Sequence, residues 1–337
     1  MIGMTSRQRV RRAIHFDGPD RIPHYLPDGG ANDILWLWPP PMPDRQPWTD
    51  AANGRQRRVD CWGSTWETMG GGSFGETVAW PITDISLQQE YVLPDLNDPR
   101  RFQETRDNVA SNNASDNPKY CLAVMPFAGL FEGAHKLAGF EKMLEAFHGQ
   151  PTDLKAFITR LGAAQRQSIR RLAECGCDGV MGYDDWGLQD RLMVSPALFE
   201  EFFLPHYRSN WGLAHELGMD AWLHSCGYII GILPMLVEAG LNVIQMDQQE
   251  NMGLERLNEV AGGKLAFWCP VDIQQTMVRG SIDDIRSYVR RMMATIGSHN
   301  GGLISMAYST PEAVNHTPEK IAAMCEAFRA CGVYERR

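Results

Sequence analysis

The stretch "SPALFEEFFLPHYRSNWGLAHELGMDAWLHSC" (residues 195–226) reads as one helix handing over to one strand. Ser195 is placed to cap a helix, Pro196 suits a first helical turn, and Gly218 closes the segment. The run that follows, 220–226, is short and mostly apolar, as a buried strand would be. It ends on His224 and Cys226, two residues apart. Side chains two apart on a strand leave the same face, so the imidazole and the thiol point the same way.

Working outward, the same unit recurs. Apolar runs occur at 120–127, 178–185, 220–226, 242–248, 264–272 and 302–309. Helix-like segments separate them, among them 151–176, 195–218 and 281–297, with apolar residues at i, i+3, i+4 spacing. Strands alternating with helices imply parallel βα units. Six units, with more to be found before residue 119, suit an α/β fold of the (β/α)8 TIM-barrel type. No G-x-G-x-x-G and no phosphate loop follows a strand, which speaks against a nucleotide-binding sheet. The expected organisation is a single barrel over 1–337 with an irregular N-terminal segment of about 118 residues. There, Thr5 and Gln8 form a capping-box pattern, residues 34–48 are rich in Pro and Trp, "TMGGGSFG" (68–75) is a turn, and 111–118 is a polar loop.

In a parallel barrel the loops leaving the C-terminal strand ends build the active site. Those ends carry Asp184 and Asp185, His224 and Cys226, Asp247 and Gln248, Cys269 and Asp272, and Tyr308 and Ser309. Imidazole and thiolate are good zinc ligands. His224 and Cys226 are therefore the metal candidates, with Cys269 as third ligand or an acid (Asp184, Asp185 or Asp247) in its place. Asp184, Asp185 and His224 are the candidate acid–base groups. Trp186, Asp247 and Tyr308 are the candidate cofactor-binding residues. Two ordinary core residues, or loop acids capping a helix, would leave the same trace. Cys175 and Cys177 read as a helix-to-strand turn, and His316 as a residue ahead of a helix cap.

The 337 residues carry a net charge of −9 and are 44% hydrophobic, with no apolar run long enough to span a bilayer. An acidic chain without a Lys/Arg stripe is a poor ligand for nucleic acid or an anionic membrane. Eight scattered cysteines read as reduced thiols, and the expected compartment is the cytoplasm. No secretory signal is read at the N-terminus. Seventeen Met and ten Trp suggest an adaptable interior and an aromatic pocket; "LWLWPPP" would line such a pocket or form an interface, and a homodimer is a possible assembly.

Several motifs together resemble the uroporphyrinogen decarboxylase superfamily. They are "SRQRVRRAIHFDGPDRIP" (6–23), "DCWGSTWE" (60–67), "LPDLNDPRRF" (93–102), "GLFEGAHKLAGFEKML" (129–144), "DDWGLQDRLMVSPALFEEFFLPHYR" (184–208), "HSCG" (224–227) and "TPEKI" (317–321). The resemblance implies a (β/α)8 barrel. True decarboxylases of the family carry an arginine-rich segment near the N-terminus that grips the porphyrinogen's carboxylates. This chain has no arginine between Arg21 and Arg45, so that substrate is not expected. The H-x-C of the cobamide-dependent methyltransferase branch matches His224 and Cys226. The branch's more distant cysteine does not, for "GLISMAYST" (302–310) holds none.

The expectation is a methyltransferase-like enzyme, zinc-assisted, moving a methyl group between a small substrate and a corrinoid on a partner protein. The alternatives are a metal-free decarboxylase or lyase acting on a small acid, and a non-catalytic corrinoid- or tetrapyrrole-binding protein.

Overall fold

The computed structural model describes residues 3–27, 32–38, 46–70, 75–126 and 129–334. Residues 71–74 of the 68–75 turn, and 39–45 of the Pro/Trp-rich stretch, lie outside the described residues. The central element is a parallel sheet of eight strands. They are β1 (His24–Tyr25), β2 (Ile34–Leu37), β3 (Tyr120–Val124), β4 (Gly179–Tyr183), β5 (Asp220–His224), β6 (Val243–Gln245), β7 (Ala266–Cys269) and β8 (Leu303–Met306). From β2 through β8 each strand pairs with the next, and β8 pairs with β1. The six apolar runs of the sequence became β3–β8. Strands β1 and β2 share no ladder and close the ring through one residue: Asp33 N–H donates to the His24 carbonyl at 2.9 Å, and His24 N–H to Asp33 Oδ2 at 2.8 Å.

Strand alternation sorts the side chains into two cores. Ile34, Tyr120, Met181, Trp222, Val243, Trp268 and Ile304 pack in the lumen. Leu223, Ile244, Phe267, Cys269 and Leu303 face the surrounding helices. Trp222 and Trp268 are almost wholly buried, and burying an indole stabilises the fold by roughly 2–3 kcal/mol. The expected helix over 195–218 is two helices, Pro196–Phe202 and Leu204–Glu216. Pro205 lacks the N–H that would bond back to residue 201, so the helix breaks at Phe203.

The first helix, α1 (Ser6–Ile14), starts with the capping box expected at Thr5 and Gln8. It plugs the lower end of the barrel: Val10 and Ile14 pack with the lumen side chains. Its polar face is pinned to the strand starts. Arg7 and Arg11 reach Asp178 at 2.8 and 2.9 Å, and His15 Nε2 lies 2.9 Å from Asp220. Between β2 and β3 the chain forms a small antiparallel sheet (Thr49–Asp50, Gln56–Val59, Thr65–Thr68 and Glu76–Ala79). It is tied to the helix Phe131–Ala138, α2, by the Ser64 hydroxyl donating to the Lys136 carbonyl at 2.7 Å. No helix among the described residues is long and apolar enough to cross a membrane.

Candidate metal centre

Tyr183, His224, Gln245, Trp268 and Ile304 pair in register across β4–β8. Residues level with one another in a parallel sheet share a face, and Trp268 and Ile304 mark that face as the lumen. His224 therefore points inward at the upper, C-terminal rim. Counting on by two places Cys226 above it on β5, and Asp185 above Tyr183 on β4.

Two glycines set the spacing of those extensions. Gly187 N–H donates to the Cys226 carbonyl at 3.2 Å. Gly227, at φ +77°, approaches so closely that a Cβ there would lie 2.2 Å from the Gly187 carbonyl oxygen. Any side chain would push the two loops apart. Held this way, Asp185 Oδ1 accepts the Cys226 N–H at 2.8 Å.

Three donor types then converge. Asp185 Oδ1 and Cys226 Sγ each lie 3.3 Å from His224 Nε2. All three ligand atoms fall within 4.8 Å of one another. A single imidazole N–H cannot serve both partners well. A tetrahedral ion with bonds of about 2.0–2.3 Å would hold its ligand atoms about 3.3–3.7 Å apart, and the two distances to His224 Nε2 lie at the short end of that range. The other ring nitrogen is occupied: His224 Nδ1 is bonded to Gln245 Oε1, an acceptor, so one proton belongs on Nδ1, and Nε2 is the nitrogen that would ligate on giving up its own. Gln245 is itself fixed, donating to Asp247 Oδ1 at 3.0 Å and to Met306 Sδ at 3.2 Å.

The electrostatics favour a cation here. Burial works against a charged His224, yet Asp185 and Cys226 outweigh it and hold the imidazole well above its ordinary pKa. Burial raises the Asp185 carboxyl too, but the His224 contact more than reverses this and the net direction is down. Cys226 and Asp247 are both pushed up, chiefly by burial. Side-chain exposure is 14% for His224 and 36% for Asp185, so the cluster is reached from the barrel mouth.

Three expected site residues are not brought to this point. Cys269 is level with Ser305, one residue out of phase with Trp268, so it faces the helical shell and is fully buried there. Burial raises its thiol far above the usual range. Asp184 alternates to the outer side of the strand. It accepts the Leu130 and Glu132 N–H groups at 2.8 Å each and the Tyr207 hydroxyl, and so anchors the start of α2. Burial pushes its carboxyl up to about 7. Trp186 is fully buried among Phe131, Phe199 and Phe203, with Nε1 bonded to the Tyr207 hydroxyl. Asp272 caps the turn after it through three backbone N–H groups, and Gln248 accepts the Gly227 N–H. Cys175 and Cys177 flank a turn at Gly176, whose φ is +82°. Gln245 was not singled out from sequence; its register beside His224 is the signal that finds it.

A family model described as uroporphyrinogen decarboxylase (URO-D) matches residues 125–331. The chain belongs to the URO-D family. No curated protein matches it. Among solved structures, a methyltransferase from Methanosarcina mazei is 14% identical with a TM-score of 0.69, over 97% of this chain and 99% of that one. A xylanase 10B from Thermotoga maritima is 9% identical over 68% and 80%, with a TM-score of 0.42. A D-allulose 3-epimerase from a Methylomonas species is 14% identical over 70% and 85%, also at 0.42. The first likeness shows a shared fold along both chains, and the other two carry no argument.

Proposed function

We propose that this URO-D family member is a zinc-assisted methyltransferase that moves a methyl group between a small substrate and a corrinoid carried by a partner protein. The observation that carries it is the convergence of His224 Nε2, Cys226 Sγ and Asp185 Oδ1 at the open rim of the lumen. Three protein ligands with one position left open is the pattern of a catalytic rather than a structural zinc. Asp185 replaces the distant cysteine expected of the methyltransferase branch and gives a nitrogen, sulfur and oxygen donor set. The likeness in fold to a methyltransferase along nearly the whole of both chains is consistent with this reading.

Bound there, zinc would supply a Lewis acid that polarises the substrate heteroatom losing or gaining the methyl group. The residues do the rest. Gln245 keeps the His224 proton on Nδ1. Asp247, its carboxyl raised by burial, faces the same rim and is the group able to hold a proton beside the heteroatom. The Tyr183 ring packs 5.2 Å from the His224 ring, and Tyr25 and Tyr308 line a neighbouring cavity. In the metal-free lyase reading Asp185 alone would serve beside His224, for Asp184 is spent on the start of α2.

Elemental analysis and zinc titration test the proposal. Chelator-free protein is expected to hold about one zinc, and His224→Ala to hold less than a tenth of that. Protein that holds no zinc, and whose methyl transfer from a corrinoid-linked donor ignores the His224→Ala change, would sink it.

A further inference from the structure

Four indoles and one phenol run through the lumen in ring-to-ring contact, and the methyl transfer uses none of them. Trp38 follows the last residue of β2 at the mouth. It is 69% exposed, and no other tryptophan or tyrosine among the described residues is exposed. From Trp38 the ring centroids step 5.8 Å to Trp36, 5.0 Å to Trp268, 5.4 Å to Trp222 and 5.6 Å to Tyr120. Aromatic rings pack against one another at centroid separations of about 4.5–7 Å, so no step leaves a gap. The line passes the metal centre: Trp268 is level with Gln245, and Gln245 with His224. It ends at the foot of β3, where Tyr120 is wholly buried.

The proton partners change along this line. The Nε1–H groups of Trp36 and Trp268 are buried and meet no acceptor among the described residues. An indole that has lost an electron settles as a neutral radical by shedding that proton. With nowhere to send it, these two rings stay cationic and pass the hole on. Trp222 Nε1–H donates to the Tyr120 hydroxyl at 3.1 Å. The hydroxyl donates in turn to Asp220 Oδ2 at 2.8 Å, the closer of two acceptors, with the Asp178 carbonyl at 3.0 Å. A phenol reduces an indole cation readily only when its own proton has a base to go to, and the Asp220 carboxylate is that base. Its other oxygen lies 2.9 Å from His15 Nε2, whose ring is half in solvent. Tyr25 also touches Trp36 and Trp268, at 6.0 and 5.7 Å, but its hydroxyl has no hydrogen bond among the described residues, so the line does not stop there.

We propose that these five rings form a charge-transfer path that carries one-electron oxidising equivalents from the barrel mouth to Tyr120 at its foot. A one-electron oxidant at the mouth, such as an oxygen-derived radical, takes an electron from Trp38. Trp36, Trp268 and Trp222 each give one electron to the ring before and take one from the ring behind. Tyr120 gives up the last electron and passes its proton to Asp220 Oδ2. The oxidant is reduced by one electron, and a neutral tyrosyl radical and a protonated carboxyl remain. This is a second activity of the lumen, independent of the metal and of methyl transfer. It leads oxidising equivalents away from the rim that carries Cys226.

Oxidation of the protein by photogenerated tris(bipyridine)ruthenium(III) tests the path, with the radicals identified by transient absorption and by electron paramagnetic resonance of frozen samples. Wild-type protein is expected to end with a tyrosyl radical. Tyr120→Phe is expected to lose that signal and to keep the hole as a tryptophanyl radical. Trp36→Phe puts a ring too hard to oxidise into the line and is expected to lose the tyrosyl signal as well. Because Trp36 is only half-buried, this variant decides the matter if Tyr120→Phe fails to fold. Asp220→Asn keeps an acceptor but removes the base, and the signal is expected to move from tyrosyl to tryptophanyl. Trp48→Phe, which alters an indole off the line, is expected to change nothing. A tyrosyl signal that survives Tyr120→Phe or Trp36→Phe, or that Trp48→Phe removes, overturns the proposal; so does wild-type protein that never forms one.

Discussion

Strand β5 carries a histidine–carboxylate pair at each end, and the two differ in kind. At the lower end Asp220 meets His15 one to one, at 2.9 Å, with the imidazole half in solvent. Neighbouring Asp178 is matched by Arg7 and Arg11 and by the Cys121 N–H. Each anion there has its cation, and the result is a closed plug. At the upper end His224 is met on one nitrogen by both Asp185 and Cys226, with Asp247 close behind and Lys136 acting on Asp185 through its charge. The lower end pairs its acids with two guanidinium groups and an imidazole; the upper end sets two acids and a thiol around a single imidazole. In barrel enzymes the lower face keeps the fold and the upper face does the chemistry. Here that division can be read along one five-residue strand.

The sharpest test sets two adjacent residues against each other. Asp185→Ala removes a ligand and is expected to lower zinc affinity more than a hundredfold in a titration, since even residues behind the ligands are worth ten- to a hundredfold. Asp184→Ala leaves zinc stoichiometry intact in the folded fraction. It strips two backbone N–H groups and the Tyr207 hydroxyl of their acceptor, and stability falls by about 3 kcal/mol in a denaturant titration. Should the two variants behave alike, the split between inner and outer faces is wrong.

At the lower end, Asp178→Ala removes the shared partner of two arginines and of a buried N–H. Stability is expected to drop by about 2–3 kcal/mol with zinc uptake unchanged. A loss of zinc in the folded variant would show the two ends to be coupled. A smaller effect is expected behind the ligands: Gln245→Leu frees His224 to choose its tautomer, and zinc affinity should fall roughly ten- to a hundredfold while the melting temperature moves little. Gln245→Glu restores the acceptor and should recover most of the loss.

How far the sequence carried the reading follows from length and phase. Strands β3–β8 were legible because their apolar runs stand between helices of clear period. Strands β1 and β2 have two and four residues, among Pro and Trp, and leave no periodic trace. The H-x-C pair was legible as a same-face pair. Its third partner was not, because the choice between Asp184, Asp185 and Cys269 turns on a one-residue phase that an apolar run does not reveal. Trp268 in the lumen fixes that phase for β7, and Cys269 falls outside. Gln245 stayed hidden because an amide is chemically mute in sequence; only its register beside His224 gives it a role.

The smallest effect separates the two histidines by pH. His15 is held above its ordinary pKa, first by its hydrogen bond to Asp220 and then by that residue's charge, against burial and the nearby Arg11. A pKa raised on folding contributes stability that is whole below the unfolded value of about 6.5 and is lost as pH rises through the folded one. With 54% of the side chain exposed, solvent screens most of the gain, and about 0.5 kcal/mol is what remains. His15→Gln is therefore expected to lower the denaturant midpoint slightly at pH 6 and not at all at pH 9, with zinc uptake untouched at both. A loss equal at the two pH values would mean that the contact holds α1 by packing alone, and that the one-to-one pairing of charge at the lower end matters less than its shape.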